Sequence, residues 1–144
     1  MVGPGAIGLY YGGLLARSGV RLQVMARSDY NALRSNGITL RMMDADSVDP
    51  QETYTVRPES VELEADSIGP ADWIIMATKA TANQDILPAL KTLVRSEKTV
   101  LLTLQNGMGN TELLAKHFPK NPKSAKTNRM CKQVQRTFRW QHTS

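Results

Sequence analysis

The chain of 144 residues has a single cysteine, two histidines, and no apolar run approaching the ~18 residues of a membrane span. Cys131 alone excludes an internal disulfide and points to a reducing, cytoplasmic setting. His117 and His142 cannot build a metal site at any recognisable ligand spacing. The N-terminus lacks the basic region and apolar stretch of a signal peptide. Acid is missing from residues 119–144, which carry seven Lys/Arg and no Asp or Glu. Residues 1–118 hold 11 basic and 13 acidic side chains, so the net charge of +5 belongs to the tail. A basic tail alone does not make the domain a nucleic-acid binder. Apolar content of 41% fits one globular domain with a real core. Last, only Met1 and Val2 stand where a whole strand should precede the first motif.

That motif is Gly3-Pro4-Gly5-Ala6-Ile7-Gly8, which spells G-x-G-x-x-G. In a dinucleotide-binding βαβ unit the first glycine makes the turn out of the strand. The second lets backbone approach a pyrophosphate, and the third lets the helix lie on the sheet. The phosphates then meet the unpaired N–H groups and macrodipole at the helix start. The pattern is common by chance, so its context has to carry it.

Downstream the context agrees. Ala6 to Ser18 reads as a helix closed by Gly19, and Val20 to Ala26 as the next strand. Arg27-Ser28 follows that strand, where an Asp or Glu would bond the ribose 2′-OH of NAD. A guanidinium and a hydroxyl suit a 2′-phosphate instead, which selects NADP(H). A solvated arginine at a strand end is the plain alternative. Asp29 caps a short helix, and 38–43 and 53–56 read as strands around an acidic loop. Residues 58–69 read as a polar surface connection. Asp72 to Ala77 and Thr99 to Leu104 are apolar runs suited to parallel strands buried on both faces. Between them, 81–94 is a helix despite Pro88, and a short helix runs to His117. The expected fold is α/β, a Rossmann-type parallel sheet with helices on both faces. The glycine turn, Thr78-Lys79-Ala80 and Gln105-Asn106-Gly107 all fall at the carboxyl ends of strands, where such sheets bind ligands.

V-G-P-G-A-I-G-L-Y-Y-G-G, A-R-S, A-T-K-A and L-T-L-Q-N-G-M-G-N, in this order and spacing, resemble the N-terminal domain of the ketopantoate reductase (2-dehydropantoate 2-reductase) family. The likeness runs from about Val2 to Phe118. It implies NADPH-dependent reduction of 2-dehydropantoate to pantoate, with a helical domain following the Rossmann domain. Carried over, it implies that Gly3, Pro4, Gly5, Ala6, Ile7 and Gly8 cradle the pyrophosphate and that Arg27 and Ser28 meet the 2′-phosphate. Lys79 would lie near the nicotinamide, and Asn106 would hydrogen-bond cofactor and substrate. Taken alone, Lys79 is equally a strand-end lysine with its stem on apolar surface, and Asn106 a turn residue before Gly107.

The family's catalytic lysine and substrate-binding carboxylate belong to the helical domain, which has no counterpart in these residues. The expected organisation is an NADP-binding domain over 1–118 and a basic, disordered or non-homologous tail over 119–144. With the first strand largely missing, Val20 to Ala26 and Asp72 to Ala77 would face each other across a gap. Such a chain would be molten or aggregation-prone. Two other readings stay open: a fragment binding nucleotide weakly or not at all, and a basic-tailed binding module.

Overall fold

The computed structural model describes residues 1–42, 52–105 and 109–125. In chain order the elements are α1 (Ala6–Arg17), β1 (Gln23–Met25), α2 (Tyr30–Asn36), β2 (Ile38–Met42), β3 (Glu52–Val56), β4 (Ser60–Glu62), α3 (Ala65–Ile68), β5 (Trp73–Met76), a 3₁₀ turn (Ala80–Ala82), α4 (Asn83–Leu93), β6 (Val100–Thr103), α5 (Asn110–His117) and β7 (Lys123–Ala125). The parallel pairs β1–β4, β5–β6 and β6–β7 make two blocks of one sheet. Val2 joins the blocks by parallel bridges to both Met25 and Met76. The order is therefore β4, β1, Met1–Gly3, β5, β6, β7, the reversal about a central strand that defines the doubly wound fold.

Val2 thus closes the carboxyl end of the gap expected between Val20 to Ala26 and Asp72 to Ala77, and the first strand is only this one bridge long. The Val2 N–H donates to the Ile75 carbonyl at 2.8 Å and the Ala77 N–H to the Val2 carbonyl at 3.0 Å. On the other side, Gly3 N–H donates to Met25 O at 3.2 Å and Met25 N–H to Met1 O at 2.9 Å. The Met1 ammonium donates to Gln23 O at 2.7 Å. Val2 bonds to the β5 side, while Met1 and Gly3 bond to the β1 side, so three residues link the two blocks.

Alternation along β1 separates two cores. Val24 packs in a cluster with Leu22, Ala26, Leu33, Ile38, Leu40 and Val61, over which α1 and α2 lie. Met25 points the other way, into a cluster with Ile74, Met76, Leu101 and the apolar faces of α3, α4 and α5. Helices therefore cover both faces, as the sequence predicts. The antiparallel β2–β3 hairpin packs on α1, where a Cβ on Gly13 would stand 2.6 Å from Leu40 Cδ1. Among the described residues no helix is long and apolar enough to cross a membrane.

Among the described residues no helix start carries a side-chain cap, whereas α1 ends in a regular motif. α1 stops in a Schellman motif: Val20 N–H reaches Leu15 O, Gly19 N–H reaches Ala16 O, and Gly19 takes φ +91°. Asp29 sits at the start of α2, yet its side chain makes no capping bond. Pro88 lies inside α4, where it removes one helical hydrogen bond. Burial of Ile86, Leu87, Leu90 and Leu93 holds that helix together.

Two elements depart from the sequence reading. The polar stretch 58–69 contains β4 and α3, and β4 is the sheet's edge on the β1 side. The ordered sheet also continues past Phe118: β7 pairs in parallel with β6 through Leu101–Lys123, Leu102–Ser124 and Thr103–Ala125. The chain is led there by the buried Phe118 and by buried Asn121, whose Nδ2 donates to Ser96 O at 2.7 Å and Thr99 O at 2.9 Å. A basic composition does not oppose this, because lysine is well suited to an edge strand.

Candidate functional site

The carboxyl edge of the sheet collects the motifs. Gly3 leaves the central segment at φ +73°, a conformation open to glycine, and so makes the tight turn. Gly8 is buried, and a Cβ on it would stand 2.7 Å from Ala77 Cβ, so glycine lets α1 lie against the end of β5. Gly5 is exposed and takes φ −71°, which any residue can adopt. Its reason within the protein is the Ala77 carbonyl, 3.2 Å from where a Cβ would be. Pro4 is buried beside it, while Ala6 and Ile7 are half-buried at the start of the helix.

This helix start is electrostatically open. The first intrahelical acceptor is Gly5 O, taken by Leu9 N–H at 2.8 Å. The N–H groups of Ala6, Ile7 and Gly8 therefore have no acceptor within the helix. No side chain caps them, and no acidic residue lies in the first turn. The arrangement favours an anion, as both the bare donors and the macrodipole require.

Arg27 and Ser28 follow β1 and are exposed. They lie beside the glycine turn because Gly3 is hydrogen-bonded to Met25. Among the described residues Arg27 forms no ion pair, which leaves its guanidinium available to a phosphate dianion. Lys79 is likewise exposed, one residue beyond Thr78. Thr78 touches the glycine turn directly: a Cβ on Gly3 would overlap its methyl. Asn106 lies outside the described residues.

Sequence reasoning missed a buried polar network at this edge. Gln105 Nε2 donates to Thr78 Oγ1 at 2.9 Å and to Asn83 Oδ1 at 2.5 Å. Gln105 Oε1 accepts from Thr103 Oγ1 at 3.1 Å, and Asn83 Nδ2 donates to Asn110 Oδ1 at 2.9 Å. The ends of β5 and β6 are thereby tied to the starts of α4 and α5. A signal was present. Asn83 precedes Ile86, Leu87 and Leu90 at helical spacing, so it is a polar residue on an apolar stripe. Asn110 stands in the same relation to Leu114.

A strand-to-helix glycine turn at the reversal point, an open helix start and an exposed guanidinium after the next strand are the parts that the first half of a dinucleotide site requires. A family profile, ketopantoate reductase PanE/ApbA, matches residues 1–143. The chain belongs to that family. Among family relatives, the 2-dehydropantoate 2-reductase of Nostoc sp. is 29% identical over 119 residues, 83% of this chain and 35% of that protein. The Mycobacterium tuberculosis 2-dehydropantoate 2-reductase is 33% identical over 119 residues, 83% of this chain and 36% of its own length. The crystal structure of the Methylococcus capsulatus 2-dehydropantoate 2-reductase superposes with a TM-score of 0.68 at 28% identity, over 86% of this chain and 38% of that one. The Geobacter metallireducens structure gives 0.65 at 30% identity, over 88% and 46%. The chain thus spans little more than a third of the curated relatives it matches, and it corresponds to their Rossmann-like N-terminal domain.

Proposed function

We propose that this chain is the NADP(H)-binding unit of a 2-dehydropantoate 2-reductase. The observation that carries the reading is the meeting, on one sheet edge, of an uncapped, acid-free helix start with an exposed Arg27 where NAD-selective sites place an acid. In this reading the turn Gly3 to Gly8 cradles the pyrophosphate, with the open N–H groups of Ala6, Ile7 and Gly8 as its donors. Arg27 and Ser28 hold the 2′-phosphate, and Lys79 and Asn106 serve the nicotinamide end. When bound, the dinucleotide supplies a hydride for the 2-oxo group of 2-dehydropantoate.

The residues at this edge bind and orient, and Lys79 serves the cofactor rather than protonating the alkoxide that such a reduction creates. In the family resemblance the proton donor, a lysine, lies in a helical domain. Membership of the PanE/ApbA family supports the substrate class. The single cysteine supports a cytoplasmic setting. The binding unit takes in residues 1–118 together with β7, with the remaining basic residues as its tail.

The test is to add NADPH and then 2-dehydropantoate to the 144-residue chain. Nicotinamide fluorescence should change on mixing, and absorbance at the reduced-nicotinamide band should then stay constant. Absence of any fluorescence change would remove the binding assignment. Substrate-dependent oxidation at ordinary enzymatic rates would contradict the division of labour.

A further inference from the structure

We propose that Gln105, held by Asn83 and Asn110, is a positioning residue for the second-nucleotide half of the cofactor site. The proposal rests on the NADP(H) reading above. Dinucleotide folds consist of two mononucleotide-binding halves that meet where the strand order reverses. Here the glycine turn and Arg27 belong to the first half, and the ends of β5 and β6 to the second.

At its carboxyl edge, beyond the apolar core, the second half is braced by carboxamides. Gln105, Asn83 and Asn110 are 8%, 6% and 6% exposed. Burying amides gains little stability over well-packed hydrocarbon, and it is costly if one partner is lost. What a fully bonded network provides is a single geometry. Gln105 uses both amide hydrogens, on Thr78 and Asn83, and its carbonyl oxygen accepts from Thr103. The Gln105 backbone N–H also reaches Thr103 Oγ1 at 3.3 Å. Side chain and backbone are therefore both fixed at the point where the chain leaves β6.

The bracing extends across the site through Thr78. Its hydroxyl accepts from Gln105, while its methyl lies against Gly3. One side chain thus sets the separation between the glycine turn and the end of β6, the two walls between which a dinucleotide must lie. A loss at Gln105 relaxes the β5–β6 wall and leaves the helix start of α1 and Arg27 in place, because those are held by Met25 and Ala77.

Half-ligands separate positioning from mere packing. Affinities for NADPH and for 2′,5′-ADP, which carries only the adenosine half, are measured on the parent, on Gln105→Met and on Gln105→Met/Asn83→Leu/Asn110→Leu, with melting temperatures. We expect Gln105→Met to weaken NADPH about tenfold, the scale of a lost hydrogen bond. Binding of 2′,5′-ADP should stay within about twofold. The triple variant, which replaces all three carboxamides by apolar side chains, should recover melting temperature but not NADPH affinity. If Gln105→Met does not fold, Thr78→Val, which deletes one acceptor, is read in the same way. Equal weakening of both ligands, unchanged NADPH affinity, or recovery of affinity together with stability would overturn the proposal. A parent that binds 2′,5′-ADP but not NADPH also overturns it, whereas a parent that binds neither removes the NADP(H) reading itself.

Discussion

The Thr78 methyl occupies the space that a side chain on Gly3 would need: a Cβ there would stand 2.1 Å from Thr78 Cγ2 and 3.0 Å from the Thr78 amide nitrogen. Gly3 also holds φ +73°, which costs an L-residue about 1–2 kcal/mol before any clash. Gly3→Ala should therefore destabilise the domain by roughly 2–4 kcal/mol, with steric overlap added to backbone strain. Thr78→Ser removes the clashing methyl and keeps the hydroxyl, so the double variant should regain part of the loss. Urea unfolding of the four proteins gives the cycle. A Gly3→Ala penalty below about 1 kcal/mol would contradict this turn geometry.

The Met1 ammonium predicts a pH dependence. Burial pushes its pKa from 8.0 down to about 6. Between those values the unfolded chain holds a proton that the folded chain has released, so stability rises with pH across this window. The burial penalty is fully present below about pH 6 and absent above about pH 8. A two-unit shift corresponds to about 2–3 kcal/mol. Denaturation midpoints of the free and N-acetylated chains at pH 5.5 to 8.5 check this. Acetylation should flatten the pH 6–8 rise attributable to the amine, and identical profiles would show that the amine is not buried.

The central segment is paired on both sides but is only one bridge long. Placing about five β-branched residues before Met1 would continue it between β1 and β5, beside the 63% exposed Trp73. Each new backbone hydrogen bond contributes about 0.5–1.5 kcal/mol, so several should raise the melting temperature clearly. An unchanged or lower melting temperature would mean that the slot does not accept a longer strand.

The parts of this fold legible in the sequence are those with local causes. Gly3 and Gly19 answer to a positive φ set by their own turns, Gly8 is readable from its place in the motif although the Ala77 it packs on is distant, and the runs 72–77 and 99–104 announce buried strands. β4 was hidden because Ser60-Val61-Glu62 has one apolar residue and exists as a strand only through Leu22–Met25 and their neighbours. β7 was hidden because its charge is that of an edge, read as that of a tail. Val2 could not be seen filling a slot, since two of its partners, Met25 and Met76, lie far along the chain. Asn83 and Asn110 are likewise well separated along the chain, and only the fold brings their amides to 2.9 Å. The position of Arg27 just past a strand, by contrast, is local and was readable.

The claim that Arg27 and the open start of α1 form an NADP(H) site is tested most directly by measuring NADPH and NADH affinities on the parent chain and on Arg27→Ala. A charge-assisted bond to the 2′-phosphate contributes at least ~1.5 kcal/mol, so NADPH should bind more than about tenfold more tightly than NADH. Arg27→Ala should remove most of that difference and leave NADH affinity unchanged. Equal affinities of the parent for the two cofactors would contradict the account.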